Sequence, residues 1–553
     1  MNASFWGTHA KSVESWMNRC VKQSLLKRIW EKDPTAWKQD PAEQGEITTR
    51  LGWLDAVSNI KKEATGFKAF SEEIRSEGIT DIVLLGMGGS SLAPEVFQKI
   101  CGNRAGYPKL SILDSTDPAR VRDVESAVDL SKTLFIVSSK SGGTVELVSF
   151  LKYFYQKMKT FFPEAPGNRF IAITDPGSPL EETAKKQGFR KIFLGYPDVG
   201  GRFSALTPFG LLPAALIGVD LEKVLTSAEK MMRRCAAEIP PHQNEAMALG
   251  VGMAVLAESG RDKLTILSSA SLAPFGDWAE QLVAESTGKE ELGVVPVVGE
   301  PLEAVEHYGE DRFFAVLFPD FTEKKALNEK FSELKEAGHP GLAFNWPAPE
   351  DLGGEFFRWE MATVIASSLL KINAFDQPDV QAAKDRTKAL LKRLEAGQEL
   401  SIPKSSESLE VFWETLKTGD YVGILAFLPD RPTVREVLTR LQTEIRRSTK
   451  AAVTLGFGPR YLHSTGQLHK GGPSNGVYLL LTAEPENDLP IPGEKYTFGQ
   501  LEFAQALGDL EALRSKGRRV CHLRLKNISG PELEKAFDHV KNTLLTSLGD
   551  EVS

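Results

Sequence analysis

The stretch DIVLLGMGGSSL, residues 81–92, decides the fold of this chain. Its apolar run at residues 82–85 is typical of a parallel strand buried on both faces. The three glycines that follow permit a tight turn, and Ser90 and Ser91 can cap a helix behind it. Because a helix that begins after such a loop presents free N–H groups, the stretch predicts a strand, an anion-binding loop and a helix. A tight turn without a ligand is the alternative, since the glycine spacing fits neither a Walker A loop nor a dinucleotide fingerprint.

Composition and charge narrow the classes of protein. Of the 553 residues, 41% are hydrophobic and 25% are charged, which is typical of a large globular protein with several domains. The net charge of −8, without a basic block, argues against nucleic acid as a partner. The sequence has neither an apolar run long enough to cross a membrane nor an apolar signal core at its start, so we expect a cytoplasmic protein. The four cysteines are scattered without metal-ligand spacing, and no metal site is predicted.

A second unit of strand, loop and helix follows at residues 133–155. Its apolar strand runs into the loop SSKSGGTVE, where Ser139, Ser141 and Thr144 surround Lys140. A single loop rich in Ser and Thr is usually a helix cap. Two such loops in one parallel sheet, however, meet at the carboxyl ends of the strands, where open α/β sheets bind ligands. Together the two loops predict a site for a phosphate monoester.

Three later segments carry side chains suited to acid–base chemistry. In VGGRF, paired glycines let Arg202 approach a ligand and stabilise negative charge, although a helix cap or a surface salt bridge is the alternative. In QLVAESTGK, Glu285 stands where a helix ends, a position at which most glutamates are solvated. In FDQPDVQAAK, Gln377 precedes a predicted helix and Lys384 lies two turns along it; alone, this lysine would be a surface residue.

Five motifs resemble those of the phosphoglucose isomerase family and occur in the order of that family. They are GMGGSSLAP, SSKSGGTVE, VGGRFSALTPFGLLP, QLVAESTGK and FDQPDVQAAK, and the match covers about residues 51–384. Within the family the chain is most similar to the isomerase half of transaldolase–phosphoglucose isomerase fusions, although no transaldolase barrel precedes it. The resemblance implies an α/β fold of sugar-isomerase (SIS) domains, which are three-layer sandwiches with helices flanking a parallel sheet. It also implies interconversion of glucose 6-phosphate and fructose 6-phosphate through a cis-enediol, without a metal or another cofactor.

The resemblance also implies roles for residues of this chain. Glu285 matches the general base that moves a proton between C2 and C1, Arg202 would stabilise the enediolate, and Lys384 would assist ring opening. The residues implied in substrate binding are Gly89, Ser90, Ser139, Lys140, Ser141, Thr144, Gly201 and Gln377. Hydroxyl and N–H groups would hold the phosphate, and Lys140 would supply the positive charge opposite it.

One residue of the family pattern is missing from its place. The family carries a ring-opening histidine shortly after the catalytic glutamate, whereas that region here contains only His307, without the expected neighbours. The last part of the chain resembles a degenerate repeat of the second unit. It contains GPRYLHSTGQLHKGGP at residues 458–473. In this segment His463 has the family spacing from the terminal Gly-Pro, and His469 is a nearby competitor. In family dimers this histidine comes from the neighbouring subunit, so we expect His463 to act within one chain, oriented by Glu146. Two loop histidines without a catalytic role are the alternative.

The sequence divides into a lead-in and three units. We expect a helical lead-in packed on the first domain (1–70), a first SIS domain (71–235), a second SIS domain (236–398), a polar linker (401–408) and a third, degenerate SIS-like domain (409–553). This division is compatible with a monomer in which the third unit replaces a second subunit. Two alternatives to the isomerase stay open: a non-catalytic SIS regulator that binds a sugar phosphate, and a dual phosphoglucose/phosphomannose isomerase.

Overall fold

The computed structural model describes residues 3–319, 324–401 and 408–549. In the described residues, three sheets flanked by helices lie one in each predicted unit, and every pair of neighbouring strands is parallel except the pair that the first strand forms, which confirms the predicted α/β fold class. Most of the predicted linker, residues 402–407, lies outside the described residues. Within the described ranges, no helix is long and apolar enough to cross a membrane.

The elements have the following bounds. The strands are β1 (Ala3–Phe5), β2 (Asp81–Leu85), β3 (Lys109–Leu113), β4 (Thr133–Ser138), β5 (Phe170–Thr174), β6 (Lys191–Leu194), β7 (Lys263–Ser268), β8 (Val295–Val297), β9 (Arg312–Pro319), β10 (Gly341–Trp346), β11 (Tyr421–Phe427), β12 (Ala452–Phe457), β13 (Gly476–Ala483) and β14 (Arg519–Leu525). The helices are α1 (Ala10–Lys22), α2 (Leu25–Trp30), α3 (Pro41–Thr48), α4 (Trp53–Ser76), α5 (Leu92–Cys101), α6 (Pro118–Ser126), α7 (Val145–Phe161), α8 (Pro179–Lys186), α9 (Pro208–Leu216), α10 (Leu221–Arg234), α11 (Glu245–Glu258), α12 (Ala273–Thr287), α13 (Lys324–Glu336), α14 (Leu352–Leu369), α15 (Gln381–Glu395), α16 (Leu409–Glu414), α17 (Pro432–Thr449), α18 (Gly466–Gly471), α19 (Phe498–Ser515) and α20 (Gly530–Gly549).

In the first unit, five parallel strands lie in the order β3-β2-β4-β5-β6. Strand β2 therefore has β3 on one side and β4 on the other, and the loops that follow β2 and β4 leave the same edge of the sheet side by side. Strand β4 is buried along its whole length, as its continuous apolar run predicts. The two predicted phosphate loops thus meet where the strand order reverses, which is where open α/β sheets bind ligands.

The second and third units share one sheet topology. Their parallel strands follow the orders β10-β9-β7-β8 and β14-β13-β11-β12, so each strand of the second sheet has a counterpart four numbers later in the third. Helix α12 follows β7 in one unit, and α17 follows β11 in the other. The weak repeat in the sequence therefore corresponds to a repeat in the order of strands and helices.

The lead-in contacts both of the first two units, whereas the sequence suggested packing on the first alone. Strand β1 extends the second sheet, antiparallel to β10. The indole N–H of Trp37 donates to the oxygen of Val364 in α14 at 3.0 Å, while Tyr196 of the first unit donates to Oε1 of Glu63 in α4 at 2.6 Å. Helix α4 also crosses the predicted boundary at residue 70. The lead-in thus holds the first and second units together.

Two apolar cores join the units. One contains side chains of the lead-in and of the first and second units. The other joins the opposite face of the first sheet to the third unit, with Val83 and Leu85 in the same cluster as Leu425 and Leu480. The third unit is therefore packed on the first rather than tethered beside it. Burial of these apolar side chains stabilises the contact, because such burial is the main favourable term in folding.

Candidate active site

A cleft of about 220 Å³ opens at the carboxyl ends of the first sheet, where the three units meet. All of the sequence-predicted site residues line it: Gly89, Ser90, Ser139, Lys140, Ser141, Thr144, Gly201, Arg202, Glu285, Gln377, Lys384 and His463. The first unit contributes the loops and the arginine, the second contributes the glutamate, the glutamine and the lysine, and the third contributes the histidine. The cleft is therefore complete only where all three units are in contact.

The loop after β2 is packed so closely that side chains are excluded at two positions. Gly88 has a φ of +53°, and a Cβ atom there would lie 2.7 Å from the backbone oxygen of His463. A Cβ atom on Gly89 would lie 2.1 Å from the backbone oxygen of Gly201. These contacts fix the loop against the arginine segment and against the third unit, which explains the need for glycine.

The loop after β4 leads directly into α7, with Thr144 at the N-cap position of that helix. Ser139 Oγ accepts a hydrogen bond from the N–H of Gly142 at 3.0 Å, which closes the loop on itself. The hydroxyls of Ser141 and Thr144 lie at the cleft next to the first turn of α7. Free N–H groups and hydroxyls at a helix N-terminus suit a phosphate group.

The ammonium group of Lys140 is not free to face a phosphate, in contrast to the sequence-based expectation. Its Nζ atom lies 2.7 Å from Asp175 Oδ1 and 3.0 Å from the backbone oxygen of Tyr196. Burial lowers the pKa of Lys140, and Asp175 acts against that shift. Asp175 directly follows β5, which neighbours β4, so the sheet brings the carboxylate beside the lysine. The ion pair neutralises this charge, so Lys140 lines the cleft without a free cation for the phosphate.

Glu285 lies in the last turn of α12 and is only 3% exposed. Gln377 Nε2 donates to its Oε2 atom at 2.7 Å, and Arg202 Nη1 lies 3.5 Å from the same atom. Burial raises the pKa of Glu285 to about 7, although neighbouring cations, Arg202 foremost, act to lower it. A carboxylate with a pKa near neutrality that faces a cleft is suited to accept and return a proton at neutral pH.

Arg202 is held by backbone and hydroxyl acceptors on the second unit. Its Nε atom donates to Ser286 Oγ at 2.8 Å, and its Nη2 atom donates to the backbone oxygens of Ala374 and Asp376, the latter at 3.2 Å. These contacts orient the guanidinium beside Glu285. A buried cation in this place can stabilise negative charge that develops on a bound substrate.

His463 ends the 3₁₀ turn Arg460–His463 of the third unit and reaches into the cleft. Its Nε2 atom lies 2.9 Å from Glu146 Oε1, as expected for the orienting partner predicted from the sequence. Burial acts to raise the pKa of Glu146, but the adjacent His463 and other interactions outweigh it, and the pKa is lowered. The backbone oxygen of His463 accepts a hydrogen bond from Gln281 Nε2 at 2.7 Å, which ties the turn to α12.

The two competing histidines lie elsewhere. His469 is buried between the rings of Tyr461 and Tyr478, at 5.8 and 4.9 Å between ring centroids, and burial lowers its pKa well below the usual value. His307 ends the 3₁₀ turn Val305–His307 of the second unit and is not among the residues that line the cleft. The structure therefore favours His463 as the imidazole of this site.

Lys289 and Gln505 were missed in the sequence. Lys289 Nζ lies 2.9 Å from Asp376 Oδ1, and burial, together with Arg202, lowers the pKa of Lys289 to about 7. Its place at the end of QLVAESTGK was an available signal. Gln505 donates to Glu146, and no pattern around it pointed to the site. In the described ranges, no group of three or more His, Cys, Asp or Glu side chains could hold a metal ion.

Comparisons with known proteins agree with this geometry. Residues 46–295 match the family model described as phosphoglucose isomerase. A glucose-6-phosphate isomerase of Carboxydothermus hydrogenoformans is 31% identical over 412 residues, which cover 64% of this chain and 87% of that protein. A glucose-6-phosphate isomerase of Synechococcus elongatus is 28% identical and covers 72% of this chain and 83% of its own length.

Solved structures show the same fold. The crystal structure of a hypothetical protein from Thermus thermophilus has a TM-score of 0.61 and 25% sequence identity, covering 70% of this chain and 99% of its own. That of a glucose-6-phosphate isomerase from Chlamydia trachomatis has a TM-score of 0.53 and 18% identity, covering 69% of this chain and 86% of its own.

Proposed function

The chain belongs to the phosphoglucose isomerase family, and on that premise we propose that it interconverts glucose 6-phosphate and fructose 6-phosphate through a cis-enediol. One observation carries the proposal. Glu285, Arg202 and His463, which come from three different units, line a single cleft beside two phosphate-binding loops. A protein that only bound a sugar phosphate would need neither a buried base nor a cation beside it.

The proposed reaction assigns one task to each part of the cleft. The hydroxyls of Ser139, Ser141 and Thr144, with the N-terminus of α7, hold the phosphate. His463 and Lys384 exchange protons with the substrate so that the hexose ring opens. Glu285 then takes the C2 proton of the aldose, the hydroxyl proton passes from O2 to O1, and Glu285 returns its proton to C1 on the same face, while the guanidinium beside it stabilises the enediolate.

The third unit takes the place of a second subunit in this proposal. Its His463 completes the cleft from within the same chain, which agrees with a monomeric enzyme built from the lead-in and three units at 71–235, 236–398 and 409–553. The apolar core that the third unit shares with the first unit supports a permanent association. A cytoplasmic location belongs to the proposal as well, and Cys20, Cys101 and Cys235, which form no disulfide, support it.

The first prediction tests the base. Glu285→Gln keeps the size of the side chain but cannot accept the proton, so kcat should fall by about 10²–10⁴-fold while sugar phosphate binding persists. Because the carboxyl must be ionised and its pKa is about 7, kcat/KM of the unchanged protein should fall as the pH drops below about 7. A coupled assay that starts from fructose 6-phosphate measures both effects.

Glu290→Gln is the matched control, because Glu290 lies five residues away on the surface, where it pairs with Lys38. This variant should retain normal turnover. Full activity in Glu285→Gln would remove Glu285 from the role of base. A folded, unchanged protein that forms no glucose 6-phosphate would contradict the proposed function itself, and binding without turnover would then favour a regulator.

A further inference from the structure

We infer that Gln505 and Thr116 are positioning residues for ring opening, because they fix the carboxylate that orients His463. This inference rests on the proposed function and names two residues that its chemistry does not include. Gln505 belongs to α19 of the third unit, and Thr116 lies between β3 and α6 of the first unit. Neither residue lines the cleft described above, so each would act through Glu146.

A continuous series of hydrogen bonds carries the inference. Thr116 Oγ1 donates to Gln505 Oε1 at 2.8 Å, Gln505 Nε2 donates to Glu146 Oε1 at 2.7 Å, and the same carboxylate oxygen lies 2.9 Å from His463 Nε2. Thr116, Gln505 and Glu146 are each at most 3% exposed. Water is therefore a poor substitute for any of these partners, and each bond matters more than it would at the surface.

The hydroxyl of Thr116 supports the orientation of the Gln505 amide that Glu146 requires. An ionised carboxylate can only accept, so the amide nitrogen faces Glu146, and the hydroxyl donates to the buried amide oxygen on the other side. Rotation of the amide by 180° would place its oxygen against a carboxylate oxygen, which is repulsive. Thr116 thus acts at a distance from the imidazole, by keeping a donor on the carboxylate.

The carboxylate of Glu146 depends on the amide of Gln505 because few other groups donate hydrogen bonds to it. Both hydrogen bonds converge on Oε1, and the buried Oε2 atom has no hydrogen-bond partner among the described residues. Hydrogen bonds to the ionised form of a carboxyl lower its pKa, so Gln505 helps to keep Glu146 ionised. An ionised Glu146 accepts from the Nε2–H group of His463, which leaves Nδ1 as the atom that exchanges protons with the substrate.

The arrangement gives the third unit a second task. The turn Arg460–His463 of the third unit supplies the imidazole. Helix α19 of the same unit supplies Gln505, which donates to the carboxylate that orients this imidazole. Two separate elements of the third unit must therefore dock correctly before the ring can be opened.

The test compares two substrates. Fructose 6-phosphate is largely cyclic, whereas 5-deoxyfructose 6-phosphate cannot form a furanose ring and needs no ring opening. Gln505→Met removes the donor at similar volume, and it should lower kcat/KM for fructose 6-phosphate by about 10-fold or more. The open-chain substrate should change by less than about twofold. A ratio of the two rates cancels any loss of folded protein and any effect on the Glu285 step.

Thr116 provides the matched pair of variants. Thr116→Val replaces the hydroxyl by a methyl group and should lower the ratio in the same direction, while Thr116→Ser keeps the hydroxyl and should restore it. When the pH is lowered, Glu146 is protonated and the ratio should fall. In Gln505→Met this fall should begin at a higher pH than in the unchanged protein, because losing a donor raises the pKa of Glu146. A purely structural role would move neither the ratio nor its pH dependence.

Three results would overturn the inference: an unchanged ratio in Gln505→Met, an equal loss on both substrates, or a Thr116→Ser variant that behaves like Thr116→Val. Each requires that the unchanged protein convert fructose 6-phosphate. Failure of the unchanged protein on both substrates is a different result, which contradicts the proposed function.

Discussion

At the scale of single residues, the proposed chemistry depends on two side chains in contrasting surroundings. Glu285 is buried, and burial raises its pKa to about 7, which suits a base that must exchange a proton at neutral pH. His463 is only partly buried and is oriented by a carboxylate of another unit. The two proton transfers, at carbon and at the ring oxygen, are thereby assigned to separate groups.

The second residue-scale prediction concerns His463. His463→Ala should slow conversion of fructose 6-phosphate by about 10²-fold or more, because the proposed ring opening uses the imidazole as acid and base. An open-chain ketose phosphate should be affected far less. His307→Ala, outside the cleft, should leave both rates unchanged, and His469→Ala should lower the melting temperature more than the ratio of rates. Equal losses on both substrates in His463→Ala would return the ring-opening role to another group.

Residues differ in how much the sequence reveals about them. Glu285, Arg202 and Gln377 stand in motifs whose order is specific, so they could be predicted together. The sequence alone assigns the ammonium of Lys140 to the phosphate because it does not reveal the partner Asp175. This carboxylate is 35 residues away, and only the sheet brings the two side chains together. Gln505 is 359 residues from Glu146, and no local pattern encodes that contact.

At the scale of elements, the 3₁₀ turn Arg460–His463 links the third unit to the cleft. Arg460 Nη2 lies 2.5 Å from Glu95 and 3.5 Å from Asp277, and its Nη1 atom lies 3.0 Å from Asp114. These carboxylates belong to α5, to α12 and to the segment after β3, so one arginine fixes the turn on two other units. The position of His463 is thus set three residues before the histidine itself.

The element-scale prediction removes this anchor. Arg460→Met should lower the free energy of unfolding by about 3–5 kcal/mol, because it leaves neighbouring carboxylates without their common cation. It should also slow the cyclic substrate more than the open-chain substrate, since the turn loses its anchor. Urea unfolding and the two-substrate assay measure these effects.

The matched control for that variant is Arg435→Met, which breaks a surface pair with Asp430 and should cost less than about 1 kcal/mol. If Arg460→Met left both the stability and the ratio of rates unchanged, the anchoring role would be excluded.

Local patterns predicted elements unevenly. The buried strands β2 and β4 were predicted from apolar runs that end in polar loops, and β5, β7 and β9 have similar apolar runs. Strand β1 has only three residues, and β6 has a mixed pattern of exposed and buried side chains. Neither strand can be distinguished from a loop in the sequence. Helix α15 begins at Gln381 rather than at Pro378, which lies in the turn before it. Edges of sheets and ends of helices are set by tertiary contacts more than by local composition.

At the scale of the whole molecule, the second and third units each place an equivalent loop at the end of a helix of the other unit. The connection between β12 and β13 brings His463 to the end of α12, and the connection between β8 and β9 carries His307 toward the end of α17. At that second place Arg447 binds Glu303, with N···O distances of 2.9 and 3.1 Å. One of two equivalent positions thus holds Glu285, the proposed base, and the other holds a salt bridge. The repeat in the sequence is weak, and the sheet order was needed to show that the two positions are equivalent.

A buried ion cluster joins the two units beside that salt bridge. Glu300 of the second unit lies 2.5 Å from Arg312 and 2.9 Å from Arg446 of the third unit, and it accepts from the N–H of Val453 at 3.1 Å. All three charged side chains are at most 1% exposed. A buried carboxylate between two arginines cannot be removed without leaving uncompensated charge.

The last prediction follows from this cluster. Glu300→Gln should lower the free energy of unfolding by about 3–5 kcal/mol and should lower the urea concentration at which isomerase activity is lost, because release of the third unit withdraws His463 from the cleft. Glu303→Gln breaks only the more exposed pair with Arg447 and should cost less than about 1 kcal/mol. In the unchanged protein, activity per chain should stay constant on dilution, since the third unit docks within its own chain. Activity that falls on dilution would show instead that the cleft is completed by a second molecule, and the third unit would then have lost its proposed role.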